Sequence, residues 1–367
     1  MRLGIVRTGG PLGASIRERA FLYVPELTNN EIEVIEINLS RIAHGKLGKL
    51  AAVIHEPLKL FKNISDIDIA KKEVFTSYAA KFIDKKIEEE KIDLIQAETT
   101  LCAYIWVKSL KKVPCIFDMH GLTYEQKNRM GIIKNSKEDE YEKNCQERVI
   151  EESNHIFSVS SYMTEYLQRY VTKSKITEVP NGGEILPYKA EYTAELNLIY
   201  AGILEYWERV EDYIELSKNY KRGKCYLMGD GRLKEGILKN KGKIEYLGSL
   251  KRDDALKKMS EFQIGIAPST EDITRKVACP IKVFDYMSVG LPVLTPNVGE
   301  WSEIVKKYNC GIVIEHNEPS EYLKALDRID ENLWNEMSHN CKKLIMEKYN
   351  WQTIIKERAV PVYRGFL

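Results

Sequence analysis

Short apolar runs alternate with helical patterns along the first half of the chain. An apolar run of about four to eight residues between polar or turn-forming residues predicts a strand, and a 3.6-residue periodicity predicts a helix. The strands predicted in this half are 3–7, 32–38, 93–97, 115–118, 156–159 and 176–179. Residues 69–91 have the charged composition of a surface helix, with Ile83 and Ile87 four positions apart. This alternation is typical of a parallel sheet with helices on both faces.

The pattern stops at a turn-forming cluster and then starts again. Residues 179–183 read Val-Pro-Asn-Gly-Gly, and a polar, irregular segment follows up to residue 195. The strands predicted after it are 197–200, 225–228, 244–247, 264–267, 292–294 and 312–314. Two such series predict an α/β fold with two Rossmann-like domains that face a cleft. We place these domains at 1–185 and 186–345, and ligands of such sheets bind beyond the carboxyl ends of the strands.

Composition excludes several classes of protein. The 367 residues carry 55 Lys and Arg against 54 Asp and Glu, so the net charge of +1 gives no sign of nucleic-acid binding. No run of about 18 apolar residues occurs, so we expect no membrane-spanning helix. The seven cysteines are scattered and never form C-x-x-C, which argues against a zinc site and a disulfide framework. A reducing compartment fits this usage, and we therefore expect a cytoplasmic location.

The segment 279–293 is the most specific in the chain. Pro280 suits the first turn of a helix, and Gly290 suits its end. Lys282 and Asp285 are three positions apart, so they share a face near the helix start. The N-terminus of a helix favours a phosphate, a lysine adds positive charge, and a carboxylate can accept hydrogen bonds from a ribose diol. The alternative is an ordinary amphipathic helix with an ion pair between Lys282 and Asp285.

This segment resembles the donor-site helix of the retaining GT-B glycosyltransferases of family four. Further segments resemble the family in the same order along the chain, from about residue 5 to residue 315. These segments are Asp118-Met119-His120-Gly121, Val179-Pro180-Asn181-Gly182, Tyr200-Ala201-Gly202 with Leu204 and Trp207, Met228-Gly229-Asp230-Gly231, Tyr246-Leu247-Gly248 and Ala267-Pro268-Ser269. Each is weak alone, and their order and spacing together carry the resemblance.

The resemblance implies a GT-B fold, whose C-terminal helix, here within 346–367, crosses back to the N-terminal domain. It implies a nucleotide-sugar donor, UDP- or GDP-linked, held by the C-terminal domain, and an acceptor held by the N-terminal domain. Transfer would proceed with retention at the anomeric carbon. No metal ion or other cofactor is implied, because protein groups and a helix dipole can offset the diphosphate charge.

The resemblance also implies roles for particular residues. Asp285 matches the carboxylate that binds the donor ribose, and His120 matches the histidine near the transferred sugar. Gly9 and Gly10 match the glycine loop that approaches the phosphates, where small residues let the backbone come close.

The remaining donor-site matches surround these residues in the C-terminal half. They are Gly202, Gly229, Gly231, Pro280 and Ile281. Asp230, within the Gly-Asp-Gly turn, could cap the following helix.

The chain departs from the family at three places. Val277 stands where many relatives carry a Glu, and Ile203 stands where many carry an Arg. Glu208-Arg209 stands where they carry Lys-Gly, so the usual basic pair on the donor phosphates is missing. Arg209 could replace the lysine if the loop shifts by one residue, and Lys282 is a second candidate. Arg275 and Lys276 are further basic residues nearby.

These departures leave other hypotheses open beside the glycosyltransferase. One is a catalytically silent GT-B subunit that binds a partner or a glycan. Another is a nucleotide-dependent oxidoreductase, supported only by the glycine-rich turn after the first strand, which lacks the full G-x-G-x-x-G pattern. A sugar-nucleotide epimerase shares the fold, but would be expected to show more acidic and His residues.

Residues 39–62 form a basic, apolar stretch. They contain five Lys and Arg residues and one Glu, interleaved with large apolar side chains. A stretch of this kind can lie on an anionic membrane surface, which predicts peripheral contact with the inner face of the membrane. The N-terminal domain of GT-B enzymes often faces a lipid-linked acceptor, so the resemblance implies a polyprenyl-linked glycan or a glycolipid as the acceptor. The alternative for this stretch is a solvated pair of helices that covers the sheet.

Overall fold

The computed structural model describes residues 1–8, 14–39 and 64–366. Gly9, Gly10 and all but the first residue of the basic stretch 39–62 lie outside the described residues. The chain divides into two compact units. The first unit comprises Met1–Pro180 together with Ile355–Leu367, and the second unit comprises Asn181–Ile354.

The first unit contains a parallel six-stranded sheet. Its strands are β1 (Arg2–Arg7), β2 (Glu33–Asn38), β3 (Leu94–Ala97), β4 (Cys115–Met119), β5 (His155–Ser158) and β6 (Ile176–Glu178), in the order β2-β1-β3-β4-β5-β6. Each of the six strands predicted in this half is confirmed. All residues of β3 and β4 are buried, which explains why their sequences are mostly apolar, with Gln96 and Asp118 as the polar exceptions. Strand β2 lies at the edge and keeps exposed positions.

Several helices of the first unit begin directly after a capping residue. The helices of this unit are α1 (Ala14–Asn29), α2 (Ile64–Glu90), α3 (Thr100–Val107), α4 (Thr123–Arg129), α5 (Ser136–Glu152) and α6 (Ser161–Leu167). The side chains of Thr99, Asn135 and Ser160 accept backbone N–H groups in the first turns of α3, α5 and α6. Ile83 and Ile87 are both buried, so their spacing correctly predicted the inner face of α2.

The second unit contains another parallel six-stranded sheet. Its strands are β7 (Leu198–Ala201), β8 (Cys225–Met228), β9 (Glu245–Tyr246), β10 (Ile264–Ile266), β11 (Val293–Pro296) and β12 (Gly311–Ile314). The strand order is β12-β11-β10-β7-β8-β9, so the direction of winding reverses between β7 and β10. In the first unit it reverses between β1 and β3. Ligands of open α/β sheets bind at such switch points, beyond the carboxyl ends of the strands.

The helices of the second unit separate its strands as predicted. They are α7 (Val210–Asn219), α8 (Lys234–Asn240), α9 (Arg252–Met259), α10 (Ile273–Lys276), α11 (Ile281–Ser288), α12 (Gly299–Lys307), α13 (Pro319–Asp327), α14 (Glu331–Glu347) and α15 (Trp351–Ile354). Helix α11 begins directly after Pro280, as the sequence predicted. Gly290, just beyond its end, has the left-handed φ of 68° that ends helices and that glycine adopts freely.

The chain returns to the first unit after α15. A π-helical turn, Ile355–Ala359, leads into α16 (Val360–Arg364). Tyr363 of α16 is fully buried, and its hydroxyl donates a hydrogen bond to Gln96 of β3. Its ring meets the ring of Phe157 edge-on at 5.5 Å. The C-terminal helix therefore completes the core of the first unit, as the family resemblance implied.

Among the helices that lie within the described residues, none combines the length and the apolar composition needed to cross a bilayer.

Candidate active site

Asp118 is the centre of a buried charge network in the first unit. Its two carboxylate oxygens each accept a hydrogen bond of 3.1 Å from Arg19 of α1. Arg19 also donates to the carbonyl of Val179 at 2.7 Å, and both side chains are buried. Burial alone would raise the pKa of Asp118, but the charges of Arg19 and His120 outweigh it and hold the pKa well below its usual range. Asp118 is therefore a permanent buried anion.

His120 follows β4 and faces two carboxylates. Its Nε2 lies 3.3 Å from Asp118 Oδ2 and 3.4 Å from Oε2 of Glu98, which follows β3. Burial lowers the pKa of His120, yet the two carboxylates outweigh this and raise it to about 9. The imidazole is therefore protonated at neutral pH, so that it can donate hydrogen bonds but cannot act as a base. We call Arg19, Glu98, Asp118 and His120 the His120 network.

The network does not fit a metal centre. Ligand atoms of Glu98, Asp118 and His120 lie within 4.8 Å of one another, the one such group of acidic, His or Cys side chains in the part of the chain described. Arg19, however, already occupies both oxygens of Asp118, and the protonated imidazole supplies a second positive charge. Arg19 and protonated His120 thus already supply the positive charge that a metal ion would bring to these carboxylates.

The sequence singled out His120 but missed Glu98 and Arg19. Glu98 directly follows a predicted strand, so its place at the carboxyl edge of the sheet was a usable signal. Arg19 lies 99 residues before Asp118, and nothing in its local pattern indicates this pairing.

Helix α11 is fixed at the switch point of the second unit. The hydroxyl of Tyr286 accepts the N–H of Ala201 in β7 at 2.7 Å and donates to the carbonyl of Ile266 in β10 at 3.2 Å. A Cβ on Gly265 would come within 2.5 Å of the Tyr286 ring, so glycine leaves room for it. These contacts place the first turn of α11 at the site where ligands of such sheets bind.

Lys282, in that first turn, belongs to a buried ion cluster. Its Nζ donates to the carboxylate of Glu208 and, at 2.9 Å, to the hydroxyl of Tyr200, whose ring centroid lies 4.1 Å away. Arg275 approaches the other oxygen of Glu208 at 3.6 Å. We call these four residues the Lys282 cluster. The alternative of a helical ion pair between Lys282 and Asp285 is therefore wrong.

The charges in this cluster do not balance. Burial lowers the pKa of Lys282 to about 8, although Glu208 opposes the shift. Burial raises the pKa of Glu208, and Lys282 with Arg275 outweigh it, so its pKa is lowered. Two cations against one carboxylate leave an excess positive charge at the start of α11. Helices α10 and α11 therefore supply two basic side chains, Arg275 and Lys282, although the sequence lacks the basic pair that the family resemblance leads us to expect.

Asp285 lies one turn further along α11. Its carboxylate accepts two hydrogen bonds from Arg252 of α9, at 2.7 and 3.2 Å. Arg252 also donates to Glu184 at 2.7 Å. Each carboxylate oxygen has a second lone pair, so the Arg252 brace leaves acceptor capacity for a ribose hydroxyl. The sequence found Asp285 but not Arg252, since the two are 33 residues apart.

The three glycines predicted at the donor site allow two loops to pack closely. A Cβ on Gly229 would lie 1.8 Å from the carbonyl oxygen of Gly202, and one on Gly231 would lie 2.4 Å from that of Leu204. On Gly202 it would lie 2.9 Å from Cε of Lys282. The loops after β7 and β8 therefore meet through their backbones.

Asp230, between two of these glycines, does not cap α8. It accepts the N–H of Gly231 at 2.8 Å and pairs with Lys234 at 3.0 Å, while Leu233 is the N-cap residue. The predicted helix cap was wrong because three further residues separate Asp230 from the start of α8.

Gly229→Ala should destabilise the second unit strongly, because its Cβ would overlap a backbone carbonyl that cannot rotate away. We expect a loss of about 1–3 kcal/mol in the free energy of unfolding, measured by urea denaturation. Gly236→Ala is the matched control: it lies within α8 with nothing near its Cβ position, and alanine should stabilise that helix by about 0.5–1 kcal/mol. Equal effects at both positions would contradict this account.

Arg209 is the N-cap residue of α7 and has a left-handed backbone, with φ 47° and ψ 41°. This conformation suits the glycine that relatives carry at this position. Its guanidinium is 45% exposed and makes two 2.8 Å hydrogen bonds to Asp212. The structure therefore brings Lys282, Glu208 and Arg275 together, and directs Arg209 to Asp212.

Two family models match the chain in succession. The Glycosyltransferase Family 4 model matches residues 66–184, and the Glycosyl transferases group 1 model matches residues 195–332. The Glycosyltransferase Family 4 match lies in the first unit, except for residues 181–184, which belong to the second unit. The Glycosyl transferases group 1 match lies entirely within the second unit.

Curated relatives are glycosyltransferases as well. An uncharacterized glycosyltransferase of Methanocaldococcus jannaschii, MJ1607, is 27% identical over 46% of this chain and only 45% of its own length. The Escherichia coli UDP-Gal:alpha-D-GlcNAc-diphosphoundecaprenol alpha-1,3-galactosyltransferase is 22% identical over 72% of this chain and 74% of its own.

A solved structure shares the fold over nearly the whole chain. HepE of Anabaena, crystallised in complex with UDP-glucose, superimposes with a TM-score of 0.71 at 14% identity. The match covers 99% of this chain and all of HepE. Both family models, these relatives and the shared fold therefore support a GT-B glycosyltransferase similar to family four.

Proposed function

We propose that this protein is a retaining, metal-independent glycosyltransferase that moves a sugar from a UDP-sugar to a glycan or a lipid-linked acceptor. The observation that carries the proposal is the Lys282 cluster, which places excess positive charge at the switch point of the second unit, at the start of α11. A diphosphate is the natural occupant of such a position. The UDP-galactose in the name of the E. coli relative and the UDP-glucose bound to HepE favour UDP as the nucleotide.

The diphosphate and the ribose of the donor have candidate partners in the second unit. Lys282 and Arg275 would bind the diphosphate, which must compete with Glu208 for them. Asp285, braced by Arg252, would accept hydrogen bonds from the ribose hydroxyls. The resemblance assigns His120 to the transferred sugar, and its protonated state suits a hydrogen-bond donor. Because these cations can offset the diphosphate charge, the proposal needs no metal ion.

The reaction would break the bond between the anomeric carbon and the diphosphate oxygen. The acceptor hydroxyl oxygen would form the new bond on the same face, and its proton would pass to the departing diphosphate. Lys282 and Arg275 would stabilise the negative charge that develops on that leaving group. No protein nucleophile is required, in keeping with the front-side attack that the family resemblance implies.

The proposed acceptor rests on sequence and on one relative. The name of the E. coli relative specifies a diphosphoundecaprenol-linked acceptor. The basic stretch 39–62 suits contact with an anionic membrane, and we propose that the enzyme works at the cytoplasmic face.

Ligand-dependent unfolding tests the nucleotide. UDP and UDP-sugars should raise the melting temperature, because a ligand at 100 times its Kd stabilises the native state by about 2.7 kcal/mol. EDTA should change neither this shift nor the transfer of radiolabelled sugar to a lipid extract. Stabilisation by NAD alone would contradict the proposal, and no response to any nucleotide would favour the silent subunit.

A further inference from the structure

The proposed function gives His120 a hydrogen bond to the transferred sugar, and the first unit contains a further residue for this role. We propose that Glu98 is the positioning residue of His120: its buried carboxylate holds Nε2, so that Nδ1–H is left to bind a substrate oxygen. The inference rests on the proposed function for the identity of the substrate. The interaction between Glu98 and His120 can be tested without it.

The two carboxylates beside His120 are not equivalent. Asp118 has both oxygens bound by Arg19, and Gln96 approaches one of them at 3.4 Å. Glu98 accepts the Gln96 amide on Oε1 at 2.6 Å, whereas its buried Oε2 has no hydrogen-bond partner. His120 Nε2, also buried and without a properly directed hydrogen bond, lies 3.4 Å from that oxygen. Contacts of this kind commonly tighten when substrate binds.

The rest of the surrounding cluster keeps a constant charge. Arg19 remains protonated, and burial raises the pKa of the Tyr23 and Tyr363 hydroxyls well above the usual range. Burial raises the pKa of Glu98, and the contact with His120 opposes this shift. When Glu98 is ionised, the charges of Arg19 and His120 balance those of Asp118 and Glu98. Replacing Glu98 by a neutral residue would leave an excess positive charge, which the network can relieve only by releasing the proton of His120.

The second ring nitrogen of His120, Nδ1, takes no part in the contacts with the two carboxylates. The side chain is 18% exposed, and in the described part of the chain Nδ1 has no hydrogen-bond partner. A neutral imidazole that keeps its proton on Nε2 for the carboxylates would have an acceptor at Nδ1. Only the protonated ring donates from both nitrogens. Because Glu98 helps to raise the pKa of His120, it sets the highest pH at which Nδ1 is still a hydrogen-bond donor.

The test compares Glu98→Gln with the wild type and with Glu33→Gln, an exposed glutamate paired with Arg2 on the edge strand. Histidine-labelled protein gives the titration midpoint of His120 by NMR, with His120→Gln used to assign its signal. We expect Glu98→Gln to lower this midpoint by about one unit or more, and Glu33→Gln to leave it unchanged. An unchanged midpoint in Glu98→Gln overturns the proposal, even if no transfer activity is found.

The pH profile of transfer provides the functional arm. In Glu98→Gln the alkaline limb of kcat should move down by about one pH unit, so that kcat at pH 8 to 9 falls up to tenfold while the donor KM changes less than about twofold. A uniform loss of kcat at all pH values would indicate a merely structural role and overturn the proposal. Glu98→Asp keeps the buried charge and should shift the midpoint by less than half as much; an equal shift would also overturn it.

Discussion

Replacing Lys282 by methionine should lower kcat/KM for the UDP-sugar donor by about 10²- to 10³-fold. Under the proposed function, Lys282 stabilises the charge that develops on the leaving diphosphate, and removing one such buried donor typically has an effect of this size. The affinity for UDP should fall as well, because Lys282 would contact the diphosphate in the ground state too. Initial rates and titration calorimetry with UDP measure the two effects.

A double variant separates the loss of function from the loss of folding. Lys282→Met alone leaves Glu208 with Arg275, at 3.6 Å, as its remaining cation, and breaking a buried pair in this way costs about 3–5 kcal/mol. Lys282→Met/Glu208→Gln removes both charges and should regain most of that stability, yet not the donor affinity. Wild-type donor affinity in this double variant would remove Lys282 from the diphosphate site.

Two companion variants complete this test. Glu208→Gln alone should bind UDP more tightly than the wild type, because the diphosphate then has no competitor. Arg209→Ala should have a smaller effect than Lys282→Met, since its exposed guanidinium is held by Asp212. A larger effect at Arg209 would make it the phosphate ligand instead.

Replacing Asp118 by asparagine should lower the free energy of unfolding of the first unit by about 3–5 kcal/mol, because it leaves the buried guanidinium of Arg19 without its counter-ion. For a unit of this size, such a loss lowers the melting temperature by about 6–20 °C. Calorimetry measures it, with the two units treated as separate transitions. Because the pKa of Asp118 is held below its usual range, its stabilisation is complete above about pH 4 and is lost only as the pH falls below that. Asp118 also raises the pKa of His120, so the deficit of the variant should be largest near pH 5 to 6, should decrease above about pH 6.5 as His120 loses its proton, and should shrink in acid as Asp118 gains one.

Asp68→Asn provides the control for a generic loss of an ion pair. Asp68 pairs with Lys71 three positions on, and both side chains are more than a third exposed. Such exposed pairs contribute at most about 1 kcal/mol. Equal losses at Asp68 and Asp118 would contradict the view that burial decides the difference.

The sheets could be predicted from the sequence because parallel strands are buried on both faces. Strand β7, every residue of which is buried, is a continuous apolar run, and β3 is one apart from Gln96. The edge strand β2 was found through its alternating pattern. The start of α11 was also predicted, because proline is favoured at the beginning of a helix and this preference depends only on the local sequence.

The partners within the site could not be predicted in the same way. Lys282 and Asp285 were correctly placed on one short helix, but their partners are Glu208, 74 residues away, and Arg252, 33 residues away. From sequence spacing we expected Lys282 to pair with Asp285, three residues on. In the folded chain, Glu208 and Arg252 lie near these two side chains although they are distant in sequence. Gly202, Gly229 and Gly231 were predicted as donor-site residues, but the sequence does not show that another backbone or side chain packs against each of them.

The return of the chain to the first unit affects the order in which the protein is made. The second unit is one continuous stretch, 181–354, and has all its residues once that stretch has left the ribosome. Most of the first unit is synthesised earlier. It lacks Tyr363, which packs in its core and donates a hydrogen bond to Gln96, until residues 355–367 emerge. The half of the molecule that is translated first is thus the half whose core is completed last.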